Sequence, residues 1–249
     1  MKVLDLFSGI GGFALGLQRA GFTTQYFCEI DPYCRRVLSQ HWPTVPCFED
    51  VRTLHGSDLG PIDLICGGFP CQDISLAGKG AGLSGARSGL WSEYARLIQE
   101  IKPKYVLIEN VAALRSRGLD QVLREIAALG YDAEWHCIPA SAVGAPHRRD
   151  RVWIVAYHQR ERGQRIVSEA IQREPAFQSF ENVRRVEDLR GRPSIPQPLI
   201  RGTRDGIPHW MDRLHAIGNA IVPQIAEALG RMIMRHEEQQ SRGPSTTNI

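Results

Sequence analysis

The cysteine in "GGFPCQDIS" (67–75) could be a nucleophile, a metal ligand, half of a disulfide or a small buried hydrophobe. Cys71 follows the apolar run "DLICGG" (63–68), which reads as a strand ending in glycines. That places it just beyond a strand's carboxyl end, the edge on which open α/β sheets bind ligands. A thiol there becomes a nucleophile when positive charge or backbone N–H groups lower its pKa. Glu109 closes the next strand-like run, "KYVLIENV" (104–111), and so reaches the same edge. Burial in a cavity would raise its pKa and make it a candidate acid. "HRRDRVWIVA" (147–156) begins a further strand, with Arg149 and Arg151 two residues apart and expected on one face. Singly, these are a buried thiol, a capping carboxylate and a surface ion pair. Three at matching strand ends of one sheet point to a site.

The remaining cysteines (28, 34, 47, 66 and 137) form no CxxC pair and no Cys/His cluster with zinc-ligand spacing, so no metal is expected. "MKVLDLFSGI" enters a strand-like run without a small-residue cleavage site, and no apolar run is long enough to span a bilayer. A cytoplasmic chain with reduced thiols is the expectation.

A second group of residues points to a ligand. "DLFSGIGGF" (5–13) is a strand, a glycine turn and the start of a helix, an arrangement that lets a ligand approach N–H groups at a helix N-terminus. It lacks the G-x-G-x-x-G spacing of a dinucleotide site. The second strand ends in "CEID" (28–31), which puts Glu29 where a ribose hydroxyl partner sits in such folds. Together the two features suggest an adenosine-containing cofactor. "EDV" (49–51) offers Asp50 as an acceptor for an adenine amino group.

These residues need a sheet to position them. Strand-like runs at 2–7, 23–30, 63–68, 104–111, 132–138 and 150–157 alternate with helical patterns at 11–21, 32–41, 90–101 and 119–129. That alternation predicts a doubly wound, mostly parallel α/β sheet over residues 1–157. Residues 158–207 lose the pattern and are rich in Arg, Glu, Gln and Pro, as expected of a small irregular subdomain. A C-terminal segment, 208–240, regains helical periodicity, and 241–249 reads as a disordered tail.

Net charge is only +3, but it is uneven. Between His147 and Asp205 lie 13 Arg, no Lys and 8 Asp plus Glu, an excess of five positive charges. Arginine forks suit phosphates and guanine edges. A solvated arginine-rich surface would have the same composition, since the whole chain holds four Lys.

Taken in order, "DLFSGIGGF", "EID", "DV", "GGFPCQDIS", "ENV", "HRRDRVWIVA" and "GNAIVP" (218–223) resemble the DNA cytosine-5 methyltransferase family. The likeness covers most of the chain outside 158–207. It implies a Rossmann-like fold that takes S-adenosylmethionine, held by Phe7, Gly9, Gly11, Glu29, Ile30, Asp50, Val51, Pro70 and, from the returning C-terminal segment, Asn219. It also implies a mechanism. Cys71 adds to carbon 6 of a cytosine, Glu109 holds ring nitrogen 3 and the amino group, and Arg151, with Arg149 beside it, binds the base oxygen. The cytosine must leave the duplex for this. "SLAGKGAGLSGARSGLW" (75–91) resembles the family's mobile loop, with Lys79 and Arg87 as phosphate contacts.

Two departures stand out. His147 occupies a position where the family usually has Gln. About 60 residues, 158–217, stand where the family carries a target-recognition domain, which resembles compact phage- or prophage-type members of restriction-modification and related systems. Arg184, Arg185, Arg190, Arg192, Arg201 and Arg204 are the candidates for DNA contact. A partner chain or a second copy could also supply recognition. The resemblance leaves two alternatives to double-stranded DNA methylation: methylation of transfer RNA, or a catalytically silent DNA-binding homologue.

Overall fold

The computed structural model describes residues 1–70, 89–145, 148–158 and 218–241. Cys71, Lys79, Arg87, His147 and the six candidate DNA-contacting arginines lie outside the described residues, as do nearly all of 158–207 and the tail.

Seven strands form one sheet in the order β3-β2-β1-β4-β5-β7-β6. They are β1 (Lys2–Leu6), β2 (Thr23–Cys28), β3 (Cys47–Phe48), β4 (Leu64–Gly67), β5 (Tyr105–Val111), β6 (Tyr131–Pro139) and β7 (Asp150–His158). The first five pair in parallel. β7 runs antiparallel to both β5 and β6. The predicted doubly wound, mostly parallel sheet is therefore present, closed on one side by an antiparallel pair.

The central strands are apolar on both faces because helices cover both. Alternate residues separate cleanly. Val3, Leu64, Cys66, Tyr105, Leu107, Trp153 and Val155 share one cluster with side chains of α1 (Gly12–Arg19) and α6 (Pro223–Ser241). Leu4, Leu6, Ile65, Val106, Ile108, Val152 and Ile154 face the other way. There they meet α3 (Gly89–Ile101) and α5 (Leu119–Ala128). No described helix is long and apolar enough to cross a membrane.

Local chemistry sets the helix starts nearest the cleft. Asp31 caps α2 (Pro32–His41), its carboxylate accepting from the N–H groups of Tyr33 (2.7 Å) and Cys34 (3.3 Å), and Pro32 supplies a preset first turn. Between β5 and α5 lies the single turn α4 (Leu114–Arg117).

The start of α6 and the residues just before it lie directly against the backbone of α1. A Cβ on Gly16 would stand 2.2 Å from the Pro223 carbonyl oxygen, and one on Gly12 would stand 2.7 Å from that of Ile221. Both obstacles are backbone, so the helices must part to admit a methyl group. Gly16→Ala is expected to destabilise the fold by about 1–3 kcal/mol. Denaturant unfolding should show a lower midpoint with unchanged slope. A midpoint equal to that of the parent would mean the helices are not held this close.

Candidate active site

The turn after β1 is built from left-handed backbone. Phe7 (φ 52°), Gly9 (φ 54°) and Gly11 (φ 85°) all have positive φ, which Phe7 adopts at a steric cost. At Gly11 space also requires glycine, because a Cβ would fall 2.5 Å from the Trp42 ring. Ser8 fixes the turn to the neighbouring strands: its N–H donates to the Cys28 carbonyl (3.2 Å) and its hydroxyl to that of Asp5 (2.6 Å).

Glu29 follows β2 and is 8% exposed. One carboxylate oxygen accepts from the Gly9 N–H (2.7 Å) and the other from the Asp31 N–H (2.8 Å). The glycine turn and the carboxylate are thus one unit. Asp50 is engaged differently. The Arg52 guanidinium chelates it at 2.6 to 3.0 Å and holds its carboxyl below the usual range.

These groups face a cleft of about 740 Å³ at the carboxyl edge of the sheet. Phe7, Gly9, Glu29, Ile30, Asp50, Val51, Pro70 and Asn219 all line it, and so do Glu109, Arg149 and Arg151. Among the described residues proposed from sequence for the two sites, Gly11 does not line it; its contribution is the turn. The Ile30 side chain is 64% exposed at the cleft, an apolar surface available to a flat ligand.

β7 brings Arg151 to Glu109 because it runs antiparallel to β5. Its beginning therefore lies at the same sheet edge as the end of β5, with Arg151 opposite Val111 and Trp153 opposite Glu109. Arg151 Nε stands 2.9 Å from Glu109 Oε1. Glu109 is 8% exposed, and burial pushes its carboxyl up to about 7 against the pull of Arg151 and then Arg149. Gly68 leaves the carboxylate room, since a Cβ there would approach Glu109 Oε2 to 3.0 Å.

Arg149 departs from the period-two expectation. β7 begins at Asp150, so Arg149 precedes the strand, with φ 37°. Its guanidinium turns to the C-terminal segment, where Nη1 donates to the Gly218 carbonyl (2.7 Å) and Nη2 to that of Ala220 (2.8 Å).

Asn110, the middle residue of "ENV", has a role that the sequence pattern does not announce. It is 3% exposed. Its amide donates to the Phe69 carbonyl (3.0 Å) and its oxygen accepts from the Val111 N–H (2.9 Å). It ties the segment that leads into Cys71 to the strand that carries Glu109. Phe69 also packs on Trp91, with ring centroids 5.2 Å apart, at the start of α3.

The family model of C-5 cytosine-specific DNA methylases matches residues 1–205 of the chain. Type II methyltransferase M2.BsuMI of Bacillus subtilis is 36% identical over 226 residues, covering 88% of this chain and 53% of that protein. M.NgoBI of Neisseria gonorrhoeae is 36% identical over 160 residues, covering 63% of this chain and 50% of that one. The chain thus spans about half the length of these curated relatives. Among solved structures, a DNA modification methyltransferase described from an E. coli prophage matches with TM-score 0.55 and 29% identity, over 64% of this chain and 47% of its own. The Entamoeba histolytica methyltransferase EhMeth matches with TM-score 0.63 over 97% of this chain and 98% of its own, at 14% identity, a likeness of fold alone.

Proposed function

The chain belongs to the C-5 cytosine-specific DNA methylase family, and from that premise we propose that it methylates carbon 5 of a cytosine flipped out of double-stranded DNA. One observation carries this: the pair of buried Glu109 and half-buried Arg151 and the Glu29–glycine unit open into the same cleft. A base-binding acid and a nucleotide-binding loop thereby share one chamber, with Pro70, the residue before Cys71, on its wall.

S-adenosylmethionine, when bound, supplies a methyl group on a positively charged sulfur. The cleft suits it. Glu29 would accept from ribose hydroxyls, Ile30 and Val51 would cover the adenine, Asp50 would accept from the adenine amino group, and Phe7, Gly9, Pro70 and Asn219 would complete the walls. Arg52 occupies part of the acceptor capacity of Asp50, so the aspartate is an acceptor held in place rather than a free one.

The chain's own residues prepare the base. Cytosine carbon 5 is a weak nucleophile. The Cys71 thiolate forms a bond to carbon 6, and the displaced ring electrons make carbon 5 an enamine carbon. Glu109 in its acid form gives its proton to ring nitrogen 3 as charge grows there. Arg151 donates to the base oxygen and, by its contact with Glu109, holds the acid in place. After methylation a base takes the carbon-5 proton, the sulfur–carbon 6 bond breaks, Cys71 leaves as thiolate, and ring nitrogen 3 returns its proton to the Glu109 carboxylate. Such a pair suits a base that has left the stack, since ring nitrogen 3 is engaged in base pairing within a duplex.

Residues 158–207 are the proposed recognition unit, with Arg184, Arg185, Arg201 and Arg204, and with Lys79 and Arg87 from the segment after Cys71, as DNA contacts. Affinity for DNA should then fall steeply with salt. About four phosphate contacts correspond to a loss of about a hundredfold between 50 and 200 mM monovalent salt. A binding constant that is flat over this range would remove the Arg-rich segment from the interface.

The activity is tested by nucleoside mass spectrometry of cells expressing the chain, with DNA and RNA digested separately. The expected product is 5-methyldeoxycytidine in DNA, absent with Cys71→Ser. A rise in 5-methylcytidine confined to RNA would overturn the choice of DNA. No change in either would favour a binding protein without turnover.

A further inference from the structure

Arg149 and Arg151 are two residues apart and both line the cleft, yet their guanidinium groups point to different tasks. Arg151, on β7, is within 2.9 Å of Glu109. Arg149 adopts φ 37°, a left-handed conformation that costs a non-glycine residue energy and persists when surroundings hold it. What holds it is the C-terminal return. The two ends of the planar fork donate to the carbonyls of Gly218 (2.7 Å) and Ala220 (2.8 Å). Those carbonyls flank Asn219, which lines the cleft, and three residues after Ala220 the chain enters α6. A guanidinium can bridge two such acceptors in one plane, and an ammonium cannot.

The anchorage continues along the segment. Ile221 abuts Gly12 and Pro223 abuts Gly16, both on the helix that follows the glycine turn. Asn219 therefore sits between two fixed points. α1 holds the chain beyond it, and Arg149 holds the carbonyls on either side of it.

We propose that Arg149 is a positioning residue that clasps the C-terminal return across Asn219, so that the cofactor wall and the base-binding pair form one rigid site. The proposal rests on the methyltransferase reading for what the cleft binds. It separates the two arginines by role: Arg151 touches the base, and Arg149 holds the wall that carries Asn219. It also links the two halves of the site, because the backbone that carries the clasp continues within two residues into the strand that presents Arg151 to Glu109.

The test uses the full chain with Arg149→Ala, Arg149→Gln, Arg149→Lys and Arg151→Ala. S-adenosylmethionine affinity is measured by calorimetry without DNA, KM and kcat by methyl transfer, and hydrogen exchange over 218–222 without any ligand. Arg149→Ala should raise both the Kd and the KM for S-adenosylmethionine about tenfold, as expected for losing charge-assisted hydrogen bonds, with kcat at saturation within about threefold of the parent. Arg149→Lys should recover little of the affinity. Arg149→Gln, which keeps one N–H donor group, should fall between and serves if the alanine variant does not fold. Arg151→Ala should do the reverse, lowering kcat with Kd unchanged.

Faster exchange over 218–222 in the Arg149 variants is required for the clasp. Unchanged exchange overturns it. So does an unchanged Kd with kcat falling in parallel with Arg151→Ala, which would make Arg149 a base contact. If the parent chain binds no S-adenosylmethionine, the functional reading fails, and the exchange measurement still decides the clasp.

Discussion

Glu109→Gln is expected to lower kcat by about 10²- to 10³-fold, within the range that general acid–base groups contribute. The amide keeps the shape of the side chain and can still donate to the base, but it has no proton to give up. The parent carboxyl does, because burial pushes it up to about 7. Contact with Arg151 at 2.9 Å favours the ionised form, and desolvation is the larger influence. Near neutral pH a substantial fraction of the free enzyme then carries the acid. The parent's kcat/KM should fall as pH rises through about 7, and the glutamine variant should lack that limb.

Stability supplies an independent check. A carboxyl raised in the folded state from 4.5 to about 7 favours folding most fully below about 4.5, and that contribution is lost as pH rises through 7. The parent should therefore lose unfolding temperature relative to Glu109→Gln between pH 5 and pH 8. Parallel curves over that range would show that Glu109 is ionised throughout, and the acid role would go with them.

The sequence exposes this site unevenly, for physical reasons. Glu29 and Glu109 were legible because buried strands are apolar, so a carboxylate at the end of one stands out, and strand ends of an open sheet share an edge. The direction of β7 is also encoded in the sequence. Ten residues separate Pro139 from Asp150, too few for the crossover that a parallel pair needs, so β6 and β7 had to run antiparallel. That reversal is what delivers Arg151 to Glu109.

Arg149 could not be read this way. Period two assigns it to the face of Arg151, but the strand starts one residue later, and its partners lie 69 and 71 residues away. Asn110 was hidden by its role. Its amide serves a backbone carbonyl 41 residues earlier, a bond that no local pattern announces. The bidentate hold of Arg52 on Asp50 is similarly invisible in a motif that names only the aspartate.

Cys71→Ser is expected to reduce methyl transfer by at least about 10⁴-fold, because a serine hydroxyl at neutral pH is almost never the alkoxide that would replace a thiolate. Binding of S-adenosylmethionine should stay within about twofold, since none of the groups assigned to hold it is the sulfur. Cysteines with raised thiols are poor replacements for Cys71. Cys28 lines the cleft, but burial and the nearby Cys47 and Glu29 push its thiol up to about 12. Cys47 is pushed to about 11, and Cys66 is wholly buried, with its thiol raised well above its ordinary value. Thiols this basic are almost entirely protonated at neutral pH and make poor nucleophiles.

A duplex bearing 5-fluorocytosine at the target gives the sharper measurement. Fluorine cannot leave carbon 5 as a proton does, so the chain that attacks carbon 6 stays bonded to the DNA. The parent should form a complex that survives denaturing electrophoresis, and Cys71→Ser should not. Because Asn110 holds the Phe69 carbonyl two residues before Cys71, Asn110→Ala should form the same complex more slowly without losing it. Trapping by the serine variant at the parent's rate would move the nucleophile elsewhere and leave the cleft without its first step.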